Sequence, residues 1–220
     1  MAISKFNYNS FNVTPVAGNA LSFNSDADGF STAGASSMIL IKTLTASSSG
    51  SLTFVNGSSD VVLDSTYPVY RFVFTDIHPE TDNTYLRIQF DTGTNTSYNQ
   101  TITSTFFKSL HNEGDSTTSL AYDGNSDLAQ STEGQDISRN VGNDNDQSIA
   151  GTLTLFNPSS TTFVKHFISR SNVYTNDDYS IDSAIAGYVN TTTALTRVQF
   201  KMASGNIDAG TIKLYGIKDS

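Results

Sequence analysis

The sequence contains no cysteine and no tryptophan, and only 4 prolines and 3 histidines in 220 residues. Without cysteine, disulfides, thiolate nucleophiles and cysteine-based metal sites are excluded together. The compartment stays open, because a chain of this length buries enough surface to stand without staples. Basic residues are also scarce: 12 Lys and Arg stand against 21 Asp and Glu, a formal net charge of −9. No run of Lys or Arg occurs anywhere. Such a surface repels phosphate backbones and anionic headgroups, so direct contacts with nucleic acid or membrane are not expected. Long apolar stretches are missing too. Nothing reaches the length that spans a bilayer, and the opening residues have no apolar signal region, so no signal peptide is expected.

Aromatic residues are plentiful, with 14 Phe and 10 Tyr, which argues for a folded chain. Their spacing is period-2 between turn clusters rich in Ser, Thr, Asn, Asp and Gly. In Val69–Thr75, Tyr70, Phe72 and Phe74 fall on one face and Arg71 and Thr75 on the other. In Tyr85–Phe90, Leu86, Ile88 and Phe90 point one way. These two segments, separated by a cluster containing Pro79, read as an antiparallel hairpin with a long loop. Further strands are expected at 22–24, 38–45, 51–55, 119–122, 151–157, 163–169, 180–190, 196–202 and 211–217. A short helix or turn fits only 104–112.

Many short strands with short connections predict an all-β, antiparallel β-sandwich, jelly-roll-like, in one main domain over 35–220. Residues 1–34 read either as an N-terminal arm laid on a neighbour or as edge strands of the same domain. Residues 113–148 hold many acidic and few large apolar groups, so they read as a long surface excursion.

No catalytic constellation is legible. There is no Gly-x-Ser-x-Gly, no His-Glu-x-x-His and no phosphate-cradling loop. His78, His111 and His166 lie far apart, and His166, flanked by Phe163, Val164, Phe167 and Ile168, reads as a packed strand histidine. The acids Glu80, Glu113 and Glu133 sit in loop-like contexts rather than as a paired acid and base. No catalytic residue and no organic cofactor is assigned.

Two loops place oxygen ligands at alternate positions, as a calcium loop does. Asn24, Asp26 and Asp28 precede Gly29, but Ala35 stands where a bidentate Glu would close the site. Asp123, Asn125 and Asp127 show the same alternation, with Gly134 at the closing place. Calcium is a weak expectation at each. Tyr174 and Tyr179, beside Asn172, Asn176, Asp177 and Asp178, are the candidate rings for stacking on a glycan.

Two segments resemble a known group. The run Asp208–Lys218, with Gly210-Thr211-Ile212-Lys213-Leu214-Tyr215-Gly216-Ile217 at its centre, is similar to the closing strand of virion proteins from tailed bacteriophages, marine and cyanobacterial ones above all. The run Tyr70–Pro79 followed by Leu86–Asp91 resembles a strand–turn–strand unit of the same group, and Leu44–Phe54 fits it as well. The likeness extends over most of 38–217, with its sharp motifs in about a fifth of the chain.

The resemblance implies a virion structural protein made in the host cytoplasm and carried on the outer surface of the particle. Its partners would be identical copies, for example in a trimer, and the major capsid protein or other virion proteins. A capsid decoration or cement protein is the leading form. A tail or head fibre domain that binds a host-surface glycan is the alternative.

Overall fold

A computed structural model describes residues 20–23, 30–33 and 37–218. Fourteen strands follow in chain order: β1 Ala20–Phe23, β2 Phe30–Ala33, β3 Met38–Thr45, β4 Leu52–Val55, β5 Val69–Pro79, β6 Leu86–Thr92 and β7 Ile102–Asn112. The rest are β8 Thr118–Tyr122, β9 Gln135–Asp136, β10 Ile149–Phe156, β11 Lys165–Tyr174, β12 Tyr179–Val189, β13 Leu195–Met202 and β14 Ile207–Ile217. Among the described residues there is no helix. The 104–112 segment is strand β7, because its two consecutive phenylalanines, Phe106 and Phe107, each find a use on opposite faces of a sheet.

The strands form an eight-stranded sheet in the order β3-β14-β5-β10-β11-β12-β7-β8 and a four-stranded sheet in the order β4-β13-β6-β9. Strands β1 and β2 pair separately. Every ladder is antiparallel. The two large sheets pack face to face, and the β-sandwich is held by rings that meet across the gap. Phe200 on β13 lies 5.3 Å from Phe72 and 6.4 Å from Phe74 on β5, and Phe54 on β4 lies 5.2 Å from Phe72. At the other end of the interior Phe90 on β6 meets Phe167 on β11 at 5.7 Å. All of these rings are buried.

The expected β5–β6 hairpin does not form. Strand β5 is flanked by β14 and β10, whereas β6 lies in the opposite sheet between β13 and β9. Pro79 has no N–H to extend the ladder, and the chain after it crosses the roughly 10 Å between layers. Both strands keep the inward faces that alternation assigns them, so only the partners differ.

Four strands cannot cover eight, and part of the excursion at 113–148 does the remaining work. It was expected on the surface, and residues 114–120 and 143–146 are exposed there. Residues 134–138 and 141–142, however, are buried. Irregular backbone in an interior needs partners for its N–H and C=O groups, and small inward serines of the large sheet supply them. Ser171 on β11 donates to the Ile137 carbonyl at 2.5 Å, and Ser104 on β7 accepts from the Leu128 N–H at 2.9 Å while donating to Gln135 at 2.5 Å. The sequence reading missed this because the segment is polar, and its inward partners are polar as well.

Phe200 meets two rings across the sandwich, Phe72 and Phe74, and one in its own sheet, Phe54, so Phe200→Ala is expected to lower unfolding stability by about 3–5 kcal/mol. Urea denaturation read by far-UV circular dichroism measures it. A loss below about 1 kcal/mol would mean that the two sheets do not close on this residue.

Candidate functional site

Alternation on the eight-stranded sheet sends one side chain of each pair inward and the next outward, and the outward set is unusually apolar. Among the described residues the exposed large apolar side chains are Met38, Leu40, Phe107, Leu120, Tyr122, Phe163 and Ile168. Six occupy outward positions of this sheet, and Phe163 stands on the β10–β11 turn at its rim. The register sets them in rows. One row runs Leu40, Tyr215, Arg71, Thr154, Ile168, Ala186, Thr105 across seven strands. A neighbouring row includes Met38, Ile217, Val69 and Phe156, and further along it His166, Tyr188 and Thr103. At the β8 edge Phe107 and Tyr122 meet ring to edge at 5.2 Å.

Cations are present on this face, at Arg71, Lys213 and Arg170, but acids are scarce over five of its strands. Strands β7, β8, β10, β11 and β12 contain a single acidic residue between them, Asp182, in a chain with 21. Its carboxylate is taken by Arg170 in a two-pronged pair, both contacts at 2.9 Å. Asp76 near the end of β5 and Asp208 near the start of β14 lie at one end of the sheet, with Asp115, Asp144 and Asp178 in the turns there. That end is acidic, and the β7–β8 and β10–β12 part of the sheet face is acid-poor.

Within that face a groove opens near the β10–β11 turn. One part is lined by Thr105, Phe156, His166, Ile168, Ala186 and Tyr188, and the adjoining part by Phe156, Ser160, Thr162, Phe163, His166 and Thr192. His166 is exposed, not packed, and its ring sits 6.1 Å from that of Tyr188. The correction follows from parity. Phe167 is locked inward, so Lys165 goes inward and His166 outward. Lys165 is fully buried, and its Nζ donates to the carbonyls of Phe163 at 3.0 Å and Thr191 at 2.9 Å. Burial pushes the Lys165 ammonium down from its usual range.

Of the expected calcium residues, the described ones, Asp123, Asn125 and Asp127, are engaged within the chain. Asn24, Asp26 and Asp28 lie outside the described residues. Asp123 is buried and already bound by Lys108 at 2.9 Å and Arg139 at 3.4 Å, so its charge is spent on cations of the chain itself. Asp127 accepts the Tyr122 hydroxyl, and the Asn125 N–H folds back on Asp123 at 3.2 Å. Among the described residues no group of three or more His, Asp or Glu is arranged to hold a metal ion.

Tyr174 and Tyr179 do not share a platform. Tyr179 packs against the core, whereas Tyr174 faces outward beside a polar depression lined by His111, Glu113, Asp115 and Asn172. Tyr174 donates to Asp178 at 3.2 Å. Desolvation, then the hydrogen bond and charge of Asp178, then Glu113, push its phenol up to about 12.

The three histidines remain apart. His78 is fixed between the Asp144 carbonyl at 3.1 Å and Asp208 at 3.4 Å, and His111 pairs with the exposed Asp115 at 3.0 Å.

The three buried carboxylates are likewise committed. Asp91 accepts the N–H groups of Thr92 and Tyr98, both at 2.9 Å. Asp136 pairs with Arg87 at 2.5 Å. Burial raises the Asp136 carboxyl more than Arg87 lowers it. For Asp123 burial also pushes upward, but Lys108, Arg139 and the Asn125 N–H together hold it below the usual range.

The outward apolar set was missed by assigning each strand one apolar face. The signal was present in consecutive pairs, Phe106-Phe107 and Phe167-Ile168, which on a strand must put one apolar side chain on each side. Comparison of the chain with protein-family models, with curated proteins and with solved structures finds no match.

Because Asp123 is lowered in the folded state, its stabilisation is complete above the ordinary carboxylate range and is lost as pH falls through its folded value. Asp136, raised by burial, runs the other way: its contribution is present at low pH and fades as pH rises through its folded value. Asp123→Asn leaves Lys108 and Arg139 facing no carboxylate and is expected to cost about 3 kcal/mol at neutral pH. The gap from wild type should hold between about pH 7 and 5 and close below about pH 4, in urea melts carried down to about pH 2. A constant gap would mean that the carboxylate charge is not what holds the 123–139 segment.

Proposed function

We propose that this chain is a non-enzymatic structural protein of a tailed-phage virion, a decoration or cement protein docked on the outer shell. The observation that carries the reading is the set of large apolar side chains exposed on the outer, acid-poor face of the eight-stranded sheet and on its β10–β11 rim. Apolar side chains gathered on one exposed face mark interaction surfaces.

Three further features support the reading. Among the described residues the buried carboxylates, Asp91, Asp123 and Asp136, are all engaged in structural hydrogen bonds or ion pairs. Acidic turns gather at one end of the sheet, off its acid-poor part, so that repeated copies can approach there. The resemblance of the 70–91 and 208–218 runs to virion proteins supplies the kind of particle, with identical copies and the major capsid protein as partners.

A second reading, a fibre domain that binds a host glycan, is favoured by Tyr174 beside the polar depression of Glu113, Asp115 and Asn172. A glycan array probed with and without calcium tests it. Reproducible hits that Tyr174→Ala abolishes would place the function at that end of the molecule.

For the leading reading, mass spectrometry of purified particles is expected to find the chain at many copies per virion. Leu40→Asp combined with Leu120→Asp, both outside the groove near Phe163, is expected to reduce that copy number at least tenfold, with the soluble fold retained by circular dichroism. Absence of the wild-type chain from particles overturns the proposal. Undiminished incorporation of the double variant moves the docking surface elsewhere.

A further inference from the structure

The β10–β11 turn holds a large ring out in water on a braced loop. Ser160 Oγ accepts the N–H groups of Thr162 at 3.2 Å and Phe163 at 2.9 Å. The Pro158 carbonyl accepts the Leu195 N–H at 2.9 Å. From beneath, the buried Lys165 ammonium ties the Phe163 carbonyl to that of Thr191. The backbone around Phe163 is thus fixed from three sides, yet its side chain is 69% exposed. Holding an apolar ring in one place in solvent brings no stability to a monomer. It lowers the ordering cost of docking, because the knob is already positioned.

The matching hole is on the same face. Beside the turn, the groove floored by Ala186 and walled by Ile168 and Tyr188 is apolar and of ring size, and His166 and Phe156 border both the groove and the knob. A knob and a hole side by side on one surface are self-complementary under a two-fold rotation, since each copy then offers its knob to the other's hole. Charge agrees with this occupant. Two chains of net charge −9 repel, and they meet at lowest cost on a face whose one carboxylate among the five strands, Asp182, is already paired to Arg170.

We propose that the chain forms an isologous dimer through the outer face of the eight-stranded sheet, with Phe163 of each copy seated in the Ile168–Ala186–Tyr188 groove of the other and the two-fold axis passing near His166. This rests on the assembly reading of that face, and its test is separate from incorporation into particles.

Sedimentation equilibrium of the full chain, from low micromolar upward, is expected to show a species of twice the 23.7 kDa chain mass. Phe163→Lys is expected to weaken it at least about 30-fold, and Ala186→Glu, which fills and charges the groove, by a similar factor. Because both positions are exposed, each variant should keep the wild-type circular dichroism spectrum and melting temperature. The decisive arm mixes the two variants. A heterodimer pairs the new cation with the new anion at one contact and leaves the other contact wild-type, so the mixture should dimerise where neither variant does alone.

A wild-type chain that stays monomeric at 100-fold above the variants' working concentration overturns the dimer, as does a trimer. A dimer unaffected by either substitution, or one that the mixture fails to restore, overturns this knob and groove. None of these results bears on whether virions carry the chain, which particle mass spectrometry decides by itself.

Discussion

An eight-stranded sheet has two faces to cover, and this molecule provides a four-stranded sheet to cover part of one. Most features of the structure follow from that mismatch. Where the small sheet reaches, large rings fill the gap, with Phe200 set among Phe54, Phe72 and Phe74. Where it does not reach, β7 and β11 turn small, polar side chains inward at Ser104 and Ser171, and the irregular 123–141 segment hydrogen-bonds to them through Leu128, Gln135 and Ile137. An apolar floor would have left the backbone of that segment without partners. Serine gives the backbone both room and hydrogen bonds.

The same segment needs its charges compensated. Asp123 and Asp136 enter the interior with Lys108, Arg139 and Arg87, and Arg139 also stacks over the Tyr85 ring at 4.9 Å. Such pairs contribute little net stability compared with apolar packing, but removing one partner is costly. They hold one arrangement of a loop that apolar contacts alone would leave poorly specified. The acidic composition of 113–148 thus serves the fold as well as the surface.

The other face of the large sheet has no layer in the chain described. Over β7, β8, β10, β11 and β12 its one carboxylate, Asp182, is paired to Arg170, while rings and aliphatic groups stand in rows. The braced Phe163 turn and the neighbouring groove give that face a specific geometry, which a merely greasy surface would lack.

Period-2 alternation made the strands legible from the residues, because a half-buried strand needs one dry side. Tyr70, Phe72, Phe74, Leu86, Ile88 and Phe90 all point inward as their spacing requires. Pairing was not legible. Any two antiparallel strands satisfy the same local pattern, and only the whole set of ladders decided that β5 joins β14 and β10 while β6 crosses to the other layer. Parity at a single residue was equally beyond local reading: His166 went out and Lys165 in because Phe167 was already committed to the core. The composition determined an all-β body with an acidic exterior and no thiol chemistry. Tertiary structure alone decided which acids are buried beside cations, which apolar residues of a double pair face water, and that these gather on one sheet face, since each depends on contacts between residues distant in the chain.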